Sequence, residues 1–99
     1  MLVYVADFPV SGIQSGKTNV STTPSVLHND RETLEVLIKA NPDNLIPVYL
    51  GPYNVTTELG AEVGFRLDPG DSLTLEVVNL AVIYLVADST GASVFWIAK

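Results

Sequence analysis

One histidine and no cysteine set the chemical limits of this chain. Without cysteine, disulfides, thiolate metal sites and thiol catalysis are excluded. His28 precedes Asn29-Asp30, a turn sequence, and reads as a solvent-exposed loop residue. A metal site needs several His, Asp or Glu side chains converging on one point, and a nucleophilic triad needs a base beside an activated hydroxyl. A lone histidine in a turn supplies neither. Asp68, Asp71 and Asp88 carry oxygens of the kind calcium collects, but their spacing is not that of an EF-hand loop, and turn aspartates ordinarily bond their own backbone. Glu58, Glu62 and Glu76 are the carboxylates available for glycoside hydrolysis, and nothing in their placement pairs them. Gly60, Gly64 and Gly70 are dispersed and open no helix, so no phosphate cradle is written here. Asn19-Val20-Ser21 and Asn54-Val55-Thr56 match the glycosylation acceptor pattern by chance, since no secretory signal is visible. The chain reads as a non-enzyme with no catalytic residue, cofactor or metal.

Tyr53, in Gly51-Pro52-Tyr53-Asn54, is a loop aromatic of the kind that stacks on a sugar ring or a partner. Its ordinary reading is a tyrosine lying on its own sheet.

The elements that would position these residues are strands. Apolar residues are 47% of the 99 and charged residues 16%, a balance that folds, and the length suits one domain. Five Lys and Arg against 11 Asp and Glu give a net charge of -6, which repels a phosphate backbone. The most apolar run, residues 80–87, is far shorter than the ~20 residues of a membrane helix. Neither nucleic acid nor membrane is expected as a partner, and the protein is expected to be soluble.

Period-two alternation broken by Gly, Pro, Asn and Asp marks half-buried strands between turns. It is clearest at 72–77, where Leu73, Leu75 and Val77 face one way and Ser72, Thr74 and Glu76 the other. Asp68-Pro69-Gly70-Asp71 supplies a turn leading from 65–67 into that strand. Residues 82–87 and 93–98 read as two more strands, joined by the turn cluster Asp88-Ser89-Thr90-Gly91 into a C-terminal hairpin. Residues 46–50 form a shorter strand that starts at Pro47 or lies on an edge, because proline donates no ladder bond. Residues 18–27, interrupted by Pro24, have edge character as well. At 30–40 a helix capped by Asp30 competes with a strand; the alternation of Leu34, Val36, Ile38 and Ala40 favours the strand.

These elements predict an all-β protein, a small antiparallel β-sandwich or jelly-roll-like domain over 18–99, with a small barrel as the alternative. Residues 1–17, broken by Asp7, Pro9, Gly12 and Gly16, read as an extended N-terminal arm.

The last two strands are apolar on both faces: Ile83, Leu85 and Ala87 alternate with Val82, Tyr84 and Val86, and Val94, Trp96 and Ala98 with Phe95 and Ile97. An antiparallel strand of this kind implies a second cover. The arm, through Leu2, Val3, Tyr4, Val5 and Phe8, either folds over its own sheet or meets a neighbouring subunit, and exchanged arms would combine the two. With Tyr53, Tyr84 and Trp96, these arm residues are the interface candidates, and a homo-oligomer is expected.

The order Ile38-Lys39-Ala40, Val48-Tyr49-Leu50-Gly51, Val55-Thr56-Thr57, Gly64-Phe65-Arg66-Leu67, Pro69-Gly70-Asp71-Ser72-Leu73 and Ile83-Tyr84-Leu85-Val86-Ala87 resembles small virion structural proteins of tailed bacteriophages. The resemblance covers residues 22–98, and the stretch Glu58-Leu59-Gly60-Ala61-Glu62-Val63-Gly64 is longer than that pattern has. It implies a β-sandwich subunit of the capsid decoration, cement or head-fibre type, assembled in the host cytoplasm into a virion and bound to the major capsid protein or other virion proteins. A fibre, tail or carbohydrate-binding module reading a host surface is the alternative.

Overall fold

A computed structural model of the chain describes residues 12–57 and 63–99. The described residues form eight strands: β1 (Gln14–Val20), β2 (Ser25–Val26), β3 (Val36–Ala40), β4 (Val48–Gly51), β5 (Phe65–Leu67), β6 (Ser72–Leu75), β7 (Tyr84–Ala87) and β8 (Ala92–Ala98). A single turn of 3-10 helix at Leu80–Val82 leads into β7, with the Asn79 side chain accepting from the Ala81 N–H at its start.

Two antiparallel four-stranded sheets result, ordered β1-β8-β3-β6 and β2-β7-β4-β5. The pairings nest: β4 with β5, β3 with β6, β2 with β7 and β1 with β8. The chain is thus one long antiparallel ribbon doubled back at the β4–β5 connection. Lateral pairing of β3 with β8 and of β4 with β7 rolls that ribbon into two facing sheets. This is the jelly roll among the expected architectures, and the single closed barrel does not form.

The alternation of the sequence decides what each strand buries. In β3, Val36, Ile38 and Ala40 are buried while Leu37 and Lys39 are exposed, so 30–40 supplies a strand and no helix. The core gathers Val36, Ile38, Val48, Leu67, Leu80, Leu85 and Val94 from both sheets. Each such side chain, fully buried, contributes about 1.5 to 3 kcal/mol. Pro47 lies just before β4, an interior strand, so its missing donor falls outside the ladder. Pro24 separates β1 from β2, each on the edge of its own sheet.

The turn at 68–71 forms as its residues demand: Gly70 takes φ +89°, the Asp71 N–H donates to the Asp68 carbonyl (2.8 Å), and the Asp68 N–H donates to Asp71 Oδ2 (3.0 Å). It carries the chain from β5 in one sheet to β6 in the other.

Two expectations need correction. Asp88-Ser89-Thr90-Gly91 is a turn, but β7 and β8 belong to different sheets, so no C-terminal hairpin exists. β8 pairs instead with β1 and β3, which offer it two ladders where β7 would offer one. Residues 14–17, assigned to the arm, belong to β1, because Gly16 fits against Trp96 of β8 in the register. The arm candidates Leu2, Val3, Tyr4, Val5 and Phe8 lie outside the described residues, as do Glu58, Gly60 and Glu62.

Candidate functional site

β8 is the strand on which the surface turns. Its inward residues Val94, Trp96 and Ala98 are buried. Trp96 fits there because its partner in β1 is Gly16: a β-carbon built on Gly16 would stand 2.7 Å from Trp96 Cζ2. The indole Nε1 donates to Thr18 Oγ1 (3.2 Å), and the Thr18 hydroxyl donates to the Leu27 carbonyl (2.7 Å). The His28 ring sits 5.0 Å from the Trp96 ring. Trp96 is therefore a core residue, 4% exposed, and not an interface residue as expected. His28 is half-buried against it and not a freely exposed loop residue. The signal that settles the facing of β8 was the glycine in β1, which makes room for an indole and for nothing on the other side.

With Trp96 turned inward, Phe95 and Ile97 turn outward, 40% and 43% exposed. Directly opposed residues of antiparallel strands share a face. One row across the sheet is Lys17, Phe95 and Lys39; the next is Ser15, Ile97, Leu37 and Thr74. Leu37 is 41% exposed, and Ile13, just before β1, extends the same surface at 71%. Ile13, Glu35, Leu37, Thr74, Ile97 and Lys99 line one groove there. The result is an aliphatic and aromatic stripe with lysines on its borders. Lys99 Nζ lies 3.7 Å from Glu35. The sequence reading put Trp96 on the open face of this strand, whereas Phe95 and Ile97 occupy it.

The other sheet handles its doubled apolar strand differently. Val86 of β7 lies outside the core cluster, opposite Tyr49, yet is only 4% exposed. Tyr84 is half-buried opposite Gly51. Val55, folding back from the β4–β5 connection, packs on Gly51 and Gly64, where added β-carbons would approach its Cγ2 to 3.3 and 2.5 Å. This face is covered at least in part by the chain itself. Tyr84 is thus a partly covered residue rather than a free docking group.

Tyr53 is 75% exposed at that connection, so it projects into solvent and does not lie on its sheet. Asp68 is occupied by its turn and by Arg66, whose Nε donates to it at 2.8 Å; this bond and the carboxylate's charge hold the Arg66 guanidinium above its ordinary pKa. Among the described residues no three His, Cys, Asp or Glu side chains gather as a metal would require. Buried polar side chains there are all satisfied. The Asn44 amide exchanges two 3.0 Å bonds with the Ser93 backbone, and Thr33 Oγ1 donates to the Lys99 carbonyl at 2.8 Å. These groups hold loops in place. The exposed stripe on the β1-β8-β3-β6 sheet has no such role, and Leu45, Phe65 and Val78 are exposed apolar residues elsewhere on the surface.

Neither a protein-family model nor a curated protein matches the chain. It is similar to a solved Bacillus structure described as "Bacillus endospore appendages form a novel family of disulfide-linked pili", at 11% identity and a TM-score of 0.43, over 89% of this chain and 84% of that chain.

Proposed function

We propose that this chain is a non-enzymatic structural subunit of a tailed-phage virion, a decoration or cement protein that docks on an assembled shell and acts as an oligomer. The observation that supports this reading is the stripe of Leu37, Phe95 and Ile97, left open on the outer face of a sheet whose inward residues in β3 and β8 are buried. Contiguous exposed apolar surface is uncommon on a soluble monomer and marks interaction sites. A specific contact buries about 1,200 to 2,000 Å², more than the stripe offers alone, so neighbouring surface joins it. Repetition over a shell multiplies the effect of individually weak contacts. The resemblance in the ordered strand and turn motifs supplies the virion context.

The test is co-sedimentation of the purified chain with expanded shells that lack it. The wild type is expected to bind and to raise the temperature at which the shells rupture. F95S/I97S, altered only at exposed positions, is expected to keep the near-ultraviolet signature of Trp96 and lose binding. Shells that ignore the wild type, or that bind the double variant equally, would refute the proposal. The exposure of Tyr53 favours a second reading, a glycan-binding module. That reading predicts that Y53A abolishes binding to host cell-wall glycans while F95S/I97S does not.

A further inference from the structure

We infer that the partner seated on this face is an extended acidic polypeptide segment, one face of which carries an aliphatic side chain between two carboxylates, and that Lys17 and Lys39 receive those carboxylates on either side of Phe95. This rests on the docking reading above and adds the chemistry of the partner.

The charge distribution carries it. In a chain of net charge -6, three of the five cationic residues are lysines, at 17, 39 and 99. All three border the same stripe: Lys17 and Lys39 flank Phe95 across the ladder, and Lys99 lines the groove with Ile13, Leu37 and Ile97. Both arginines are engaged elsewhere, Arg66 with Asp68 and Arg31 with the Gln14 side chain and the Glu32 carbonyl. Lys99 is paired with Glu35, whereas Lys17 and Lys39 have no ion-pair partner among the described residues. An acidic protein thus gathers its free positive charge around its open apolar surface, a pattern that selects a partner of the opposite sign and speeds encounter.

The geometry suits an extended segment. Adjacent strands lie about 4.8 Å apart, which places the Lys17 and Lys39 stems roughly 10 Å from each other, with Phe95 between them. Side chains on one face of an extended partner recur about every 7 Å, so two carboxylates flanking one aliphatic side chain stand about 14 Å apart, and flexible lysine stems absorb the difference. Two other occupants fit less well. A second copy docked face to face would set lysines against lysines. A nucleic acid strand wants several aromatic platforms for its bases, and the stripe offers one phenyl ring among aliphatic side chains, in a chain whose net charge opposes phosphate.

The test uses the full chain and two synthetic peptides of equal length, one repeating Glu-Thr-Leu-Thr and the other Lys-Thr-Leu-Thr so that charge and leucine share a face, followed by NMR at Leu37, Phe95 and Ile97. The glutamate peptide is expected to shift these resonances saturably, and to weaken about tenfold when salt rises from about 0.05 to about 0.3 M. In K17E/K39E the preference is expected to reverse, with the Trp96 signature unchanged. An equal or stronger response of the wild type to the lysine peptide would overturn the inference. So would the same shifts produced by oligothymidylate, which would name a nucleic acid occupant, or by concentration alone, which would name a second copy. Shells that bind wild type and K17E/K39E alike would overturn it while leaving the docking proposal standing. A wild type that selects the glutamate peptide but ignores shells would overturn the docking proposal alone.

Discussion

Replacing Gly16 by alanine tests the packing that turns Trp96 inward and so exposes the opposite face of β8. The added β-carbon would lie 2.7 Å from Cζ2 and 2.9 Å from Cε2 of the indole. Carbon atoms in contact sit about 3.5 to 4.0 Å apart, so ring or strand must give by roughly 1 Å. The ring is held at two points, by its bond to Thr18 Oγ1 at 3.2 Å and by the His28 ring, and its neighbours are core. Overpacking of this kind costs about 1 to 3 kcal/mol. Gly16 is not among the positive-φ glycines, so alanine adds no backbone strain and recovers about 0.4 to 1 kcal/mol by restricting the unfolded chain. The net expectation is a loss centred near 1 kcal/mol, or about 4 to 8 °C in Tm for a domain of this size. Urea denaturation followed by fluorescence reads it directly, because Trp96 is the sole tryptophan. Gly12→Ala, with nothing within 4 Å of the new atom, is the control. A G16A protein as stable as G12A, with the Trp96 emission and near-ultraviolet bands of the wild type, would refute the packing argument.

Two further outcomes concern the loops. Asn44→Ala removes both amide bonds to the Ser93 backbone and leaves the buried Ser93 N–H without its partner, so a loss of about 2 kcal/mol is expected in the urea midpoint. Gly70→Ala and Gly64→Ala separate torsional strain from contact: Gly70, at φ +89° in open space, is expected to cost about 1 to 2 kcal/mol, and Gly64, at φ +118° with Val55 Cγ2 2.5 Å away, about 1 to 3 kcal/mol more. Equal midpoints for the two variants would show that Val55 yields freely.

The strands were legible where only one phase of the alternation is apolar. Leu73 and Leu75, and the buried trio of β3, face the core as their pattern requires. Where both phases are apolar the pattern is silent, and β8 shows the consequence: Trp96 and Phe95 are equally plausible inward residues until Gly16 is placed opposite one of them. Turn chemistry has a similar limit. Asp88-Ser89-Thr90-Gly91 specifies a reversal, and Gly91 does take φ +103°, but a reversal serves a hairpin and an inter-sheet corner alike. What decides is the pairing of β8 with strands more than fifty residues away along the chain, which no local window contains. The lysine border was hidden for the same reason, since Lys17 and Lys39 become neighbours of Phe95 only through those ladders.

The nested pairing also dictates a schedule for synthesis. β8 sits between β1 and β3, so a ribosome-bound nascent chain that ends before residue 92 lacks one of the two interior strands of that sheet and leaves β1 without its ladder. Contacts such as Gln14 with Ala98 give the fold a high contact order, which belongs to chains that fold in milliseconds to seconds rather than microseconds. Both unpaired edges stay open to foreign strands throughout that wait. β8, the last of these eight strands to emerge, is the one that closes them.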